Sequence, residues 1–232
     1  MRLNELGQPI GEALPDWTPR ALPGPIDLAG AFCRVETLAE PHFDALAAVF
    51  ALDRTGANFT YLPYQPFADR AVAREFLNSA AASSDPLFTT VTIDRYPVGI
   101  AAVMRLDPQS GVFEIGHIHF SVLLQRTRPA TEALFLLLRH MFETLGYRRG
   151  EWKCDALNAP SRRAAERLGF QFEGLFRQAL VTKGRNRDTA WYSIIDGEWL
   201  GVADRIAGWL RPENFDAQGR QRSSLHSGVE KV

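Results

Sequence analysis

The chain has 232 residues, a hydrophobic fraction of 46% and a formal net charge of −1. That length fits one large domain, or one domain with extensions, and can bury a core without disulfide or metal staples. The near-neutral balance excludes a bulk electrostatic pull toward nucleic acid or anionic membrane, and no apolar run approaches the ~20 residues of a membrane span.

The 2 cysteines, Cys33 and Cys154, give neither a disulfide framework nor a metal-ligand spacing. Both fall in strand-like runs and read as buried thiols. Glu5, Pro9, Glu12 and Pro15 stand where a secretion signal would be apolar, so a cytoplasmic protein is expected.

Residues 1–30 are dense in Pro and Gly, which forbids a long helix or a central strand. The interspersed Leu14, Trp17 and Leu22 suggest an extended arm laid over the domain. Cys33–Thr37 predicts a short strand, and Pro41 opens a helix with Phe43, Leu46, Ala47 and Phe50 on its apolar stripe. An aromatic and proline loop, 55–66, precedes a second helix over 68–82 with Val72, Phe76 and Ala80 on one side. Leu87–Asp94, Val98–Leu106 and Val112–Val122 then read as strands in hairpin connection. A strongly apolar helix over 129–145 follows, closed by Gly146. A strand (Glu151–Ala156), a short helix (Ala159–Leu168), a strand (Phe170–Gln178), a turn at 183–188 and a strand (Thr189–Ile195) come next. A last helix over 197–210 precedes a polar tail, 212–232, expected to be mobile. The domain proper is 31–211. Its order predicts an α/β fold of the α+β type, with a mixed, mostly antiparallel central sheet and helices on both faces.

The informative stretch runs from Phe113 to Phe172. After the strand ending at Val122, the loop Gln125-Arg126-Thr127-Arg128-Pro129-Ala130 leads straight into the apolar helix, reaching Thr131. A helix start offers unpaired N–H groups and partial positive charge to phosphate, and two arginines stand beside it. An ordinary solvated helix start is the plain alternative. Phe113-Glu114-Ile115-Gly116-His117-Ile118-His119-Phe120 forms the preceding strand; Asn158-Ala159-Pro160-Ser161 and Leu168-Gly169-Phe170 bracket the short helix.

In order and spacing these motifs resemble the GNAT acyltransferase superfamily, and especially its RimJ/RimL-like branch of ribosomal-protein N-terminal acetyltransferases. The resemblance covers about 31–196 and implies a GNAT fold. It also implies coenzyme A pyrophosphate held on the loop at Gln125, Arg126, Thr127, Arg128, Ala130 and Thr131. The family loop carries Gln/Arg-x-x-Gly-x-Gly/Ala; here Arg128 replaces the first glycine and Pro129 removes a donor, so the cradle leans on arginine side chains. The resemblance further implies that the Phe120 backbone N–H faces the thioester, that Asn158 bonds the pantetheine arm and that Glu114 acts near the amine. Many members carry a tyrosine acid where this chain has Ala165; Ser161, one turn away, could serve in its place.

The implied reaction is transfer of an acetyl group from acetyl-CoA to a primary amine, with Glu114 taking the amine proton and the Phe120 N–H steadying the oxyanion. Succinyl-CoA or another acyl-CoA as donor, and a catalytically silent CoA-binding module, remain open alternatives. Bland readings stand beside each residue: Glu114 as a salt-bridged strand residue, Asn158 as a helix cap, Phe59, Tyr61, Tyr64, Trp191 and Tyr192 as core. Lys183, Arg185 and Arg187 read as an exposed turn. His117 and His119 share a strand face without a third ligand, which argues against metal, and they could line the acceptor pocket. The expected partners are a small-molecule amine or a protein N-terminus, with no nucleic acid, no membrane and no metal; a homodimer is compatible with the resemblance.

Overall fold

The computed structural model describes residues 2–225. A small hairpin, β1 (Arg2–Leu3) and β2 (Pro9–Ile10), begins the arm. β3 (Asp27–Ala29) then joins the edge of the main sheet beside β4 (Arg34–Thr37). The helices α1 (Phe43–Phe50) and α2 (Arg70–Ala81) follow. The meander β5 (Leu87–Ile93), β6 (Tyr96–Asp107) and β7 (Val112–Phe120) leads to α3 (Arg128–Arg139), which ends in a π turn at His140–Thr144. β8 (Arg149–Asp155), α4 (Ala159–Leu168), β9 (Gln171–Thr182), β10 (Arg185–Ile195) and α5 (Asp196–Trp209) complete the domain.

Local chemistry fixes the helix ends. Asp69 caps α2 by accepting from Val72 N–H, and Thr127 caps α3 by accepting from Ala130 N–H. Asn158 caps α4 through Ser161 N–H, and Gly169 closes it in the left-handed region at φ 103°. At that φ an L side chain is strained whatever the space, so glycine is required there.

The strands form one eight-stranded sheet in the order β3-β4-β5-β6-β7-β8-β10-β9. Every pairing is antiparallel except β7–β8. One face packs on α3, α4 and α5 through a large cluster that includes Phe113, Ile115, Leu137, Trp152, Tyr192 and Trp199. The other face packs on α1 and α2 through Leu46, Phe50, Leu77, Phe88, Ile100 and Ala102, over the β5–β6 half. Helices therefore cover both faces, as expected, and both cysteines are free and buried. Among the described residues no helix is long and apolar enough to cross a membrane.

Several expectations need correction. On α2 the buried positions are Ala73, Leu77 and Ala80, with Phe76 half-buried beside them, whereas Val72 is exposed, because the stripe starts one residue later. The arm docks through Trp17, whose Nε1 donates to Gln109 O at 2.8 Å, while Leu14 and Leu22 are exposed. Residues 212–225 fold back rather than trail away: Gln221 accepts from Trp209 Nε1 at 3.0 Å, and Leu225 is buried. The mobile tail expected for 226–232 lies outside the described residues.

Candidate active site

β7 and β8 run parallel, but only Val112–Arg149, Phe113–Gly150 and Glu114–Glu151 pair. Beyond them the strands part. β7 carries a bulge between its pairings with Ile100 and Ala102, where His117 takes a left-handed φ of 46°. The opening is a cleft of about 210 Å³ lined by Glu114–Ile118 on one side and Trp152–Asp155 on the other. Asn158 and Ser161 close one end, with Asn58, Tyr61, Leu62 and Pro63 above. The roof is tied down: Lys183 Nζ donates to Phe59 O, Arg185 to Thr60 O at 3.0 Å, and Tyr61 Oη to Leu157 O at 3.1 Å. Lys183 and Arg185 are thus a clasp rather than a free turn, and Arg187 lies within β10 and lines the cleft.

Glu114 is buried in this cleft and forms an ion pair with Lys153 Nζ at 3.0 Å and with Arg105 Nε at 3.4 Å. Burial pushes its carboxyl above the ordinary range; Lys153 and Arg105 pull it back, and Glu151 adds to the rise. Lys153 also lies 2.6 Å from Glu151 Oε2 and 3.9 Å above the Trp191 ring. Glu151 continues to Arg149, which is paired with Glu173. Neither Lys153 nor this network was recognised from the sequence. The signal was present in the alternation Glu151, Lys153, Asp155, which puts three charges on one strand face.

Phe120 has a buried side chain, and its backbone is directed at the splay. Ser121 N–H donates to Val98 O, so by strand alternation the neighbouring Phe120 N–H and C=O point away from β6. Gln125 Nε2 meets that carbonyl at 2.8 Å and Asn58 Oδ1 at 2.7 Å, bracing the loop against the roof. Ser161 Oγ accepts from Trp152 Nε1 at 3.0 Å, and Asn158 Oδ1 accepts from Ser161 N–H at 3.1 Å. Cys154 shares the cleft with its thiol pushed up by burial, opposed by Ser161, Arg187 and Arg162, so it is no ready nucleophile.

The loop before α3 lies outside the cleft lining. Thr127 N–H donates to Leu124 O and Ala130 N–H to Thr127 Oγ1, while Pro129 has no N–H. Arg128 N–H is the first-turn donor that remains. Arg126 is exposed at φ 60°. The Arg128 guanidinium turns away from the loop, 3.7 Å from the Phe32 ring centre and 4.1 Å from that of Phe215, and donates to Leu210 O. Thr131 is buried, and its Oγ1 accepts from Arg167 Nη1 at 2.9 Å. His119 does not reach the cleft: it stacks on Phe50 at 3.9 Å within the aromatic cluster of Phe59, Tyr64 and Phe67. His117 does line it. No group of three or more His, Cys, Asp or Glu among the described residues could hold a metal.

A GNAT acetyltransferase domain model matches residues 34–171. A solved GCN5-related N-acetyltransferase from Brucella melitensis is 46% identical, covering 91% of this chain and 97% of its own, with a TM-score of 0.89. A solved probable GNAT-family acetyltransferase from Chromobacterium violaceum is 42% identical, covering 83% and 97%, with a TM-score of 0.77. The uncharacterized N-acetyltransferase p20 of Bacillus licheniformis is 28% identical over 61% of this chain and 82% of its own. The splayed parallel pair, the buried glutamate facing it and these matches together place the chain in the GNAT acetyltransferase family.

Proposed function

We propose that this acetyltransferase moves an acetyl group from acetyl-CoA to a primary amine, a protein N-terminal α-amine or a small amine, with Glu114 as general base. The buried carboxylate facing the slot between β7 and β8 carries this reading. Acetyl-CoA, when bound, supplies the acyl group as an activated thioester. The donors present suit it: the exposed Arg126, the Arg128 N–H at the start of α3 and the Arg167–Thr131 pair are cationic or N–H groups around a helix start. Thr127 and Ala130 shape that turn, and Gln125 fixes the strand end beside it. Asn158 lines the cleft, within reach of an amide-bearing arm.

Glu114 then takes the amine proton, directly or through water, its raised proton affinity bringing it closer to neutral pH. The Phe120 N–H, aimed into the splay, is the donor for an oxygen that gains charge. Ser161, tied to Trp152 and lining the cleft, relays a proton from water to the leaving thiolate. No covalent enzyme intermediate is required. Free buried thiols fit a reducing cytoplasm, and the sequence motifs favour the RimJ/RimL-like branch. Incubation with acetyl-CoA and a mixed amine panel, followed by thiol release and product mass spectrometry, tests the reading. CoA binding without thiol release for any amine would reject it in favour of a silent module.

A further inference from the structure

We infer that the acceptor is a small amine carrying a carboxylate, read by Arg187 at the end of a strip of β10 that continues through Thr189 and Trp191; this rests on the acyltransferase reading above. The three residues alternate along the strand and so share the face that carries Lys153 and Asp155, since Thr189 pairs with Asp155 and Trp191 with Lys153. Residues 190, 192 and 194 point the other way, into the core with α5. α1 and α2 pack on the β5–β6 half of this face, and the cleft beside Arg187 is lined by roof-loop residues Asn58, Tyr61, Leu62 and Pro63.

Each of the three carries a buried donor with no protein partner among the described residues: Arg187 Nε, Thr189 Oγ1 and Trp191 Nε1. Buried donors of this kind are rare in native interiors and are usually met by a ligand or water. The Arg187 guanidinium also has no carboxylate within ion-pair distance among the described residues. The acidic residues nearest in sequence and register are engaged elsewhere. Asp155 Oδ1 accepts from Leu157 N–H at 2.9 Å, and Asp188 Oδ1 from Gln178 N–H at 2.7 Å. Glu114 and Glu151 share Lys153. Arg187 lines the same cleft as Glu114, so one wall offers a proton acceptor and the other an unpaired cation. A zwitterionic amino acid presents the complementary pair, an ammonium and a carboxylate, and a guanidinium fork is the side chain shaped for the latter. A cleft of about 210 Å³ under a tied roof suits such a molecule better than a long peptide.

The test sets amino acids beside their C-terminal amides, which keep the amine and side chain but lose the anion. Calorimetry on the CoA-loaded protein measures binding without any turnover, and thiol release measures transfer. Amino acids should bind and react about tenfold better than their amides. Arg187→Met should erase that difference, and Arg187→Lys should keep part of it. Thermal melts separate this from misfolding. Amides equal to or better than amino acids, peptides better than both, or equal losses for both in Arg187→Met would overturn the assignment. Carboxylate preference in binding without thiol release would retain the subsite and reject transfer instead.

Discussion

Glu114 and Glu151 stand directly opposite each other across the last rung of the parallel β7–β8 ladder, and Lys153 Nζ lies between their carboxylates at 3.0 and 2.6 Å. Two like charges at that register repel unless a cation intervenes. Lys153 therefore sets how readily Glu114 gives up its proton, together with Arg105 from β6.

Lys153→Met should move the acid limb of the kcat/KM profile to higher pH. The carboxyl is already raised by burial, and removing its largest opposing cation raises it further, so the base form appears later as pH rises. Turnover at neutral pH should fall about tenfold and recover in alkali. Glu114→Gln should lose about 10²-fold, keep its CoA affinity and be partly rescued at high pH, where the amine needs no base. Activity unchanged across pH in both variants would assign the pair to structure alone.

The two loop arginines should behave differently. Arg126→Ala should weaken CoA severalfold but leave phosphate-free pantetheine and the melting temperature unchanged. Arg128→Ala removes a cation packed between Phe32 and Phe215 and a bond to Leu210 O, costing about 1–3 kcal/mol. At roughly 2–4 °C per kcal/mol, melting curves will read that directly. A CoA defect in Arg128→Ala without loss of stability would return this side chain to the phosphate site.

His119 makes an acid-stability prediction. Burial pushes its imidazole down from 6.5 to about 4, opposed by Asp53. The folded state thus resists the proton, and the stability it contributes is present above pH 6.5 and lost as pH falls toward 4. His119→Phe should keep the stack on Phe50 and flatten part of that loss. An acid melting profile identical to wild type would contradict the burial argument.

Trp17 should account for most of the arm's docking. It lies against Gly111, where an added Cβ would meet its ring at 2.4 Å, and Arg20 stacks on it at 4.3 Å. Trp17→Ala should speed tryptic cutting at Arg20 without changing CoA affinity. Unchanged cutting would mean that the backbone bond from Arg20 N–H to Pro108 O suffices.

The main strands, their hairpin turns and the mixed, mostly antiparallel sheet were legible because period-2 runs and their turns are local signals, whereas the insertion of β10 between β8 and β9 was not. Asn158 announced its helix for the same reason, since a cap acts over three residues; the Thr127 cap was not read. Glu114 could be named from the motif, but not its partners: Lys153 and Arg187 depend on the register of β7, β8 and β10, which no local pattern encodes. Arg128 misled because its position in the loop suggested phosphate, whereas Phe215, from a segment that composition marks as a tail, captures it. Leu14 and Leu22 show the same limit, for apolar character does not say which side chain finds a groove.

The parting of β7 and β8 leaves a ladder with rungs on only three steps. Past Glu151, the amides of β8 that face β7 have no strand to answer them, although the opposite edge is fully paired with β10. A ligand arm lying there becomes the missing rail, joining the two halves of the sheet as a strand would. Amide exchange should then slow at alternate residues of Trp152–Asp155 and Gly116–Phe120 when CoA binds, and the halves should unfold together rather than in sequence. A co-substrate held there would serve as a ninth strand of the sheet, present only while it is bound.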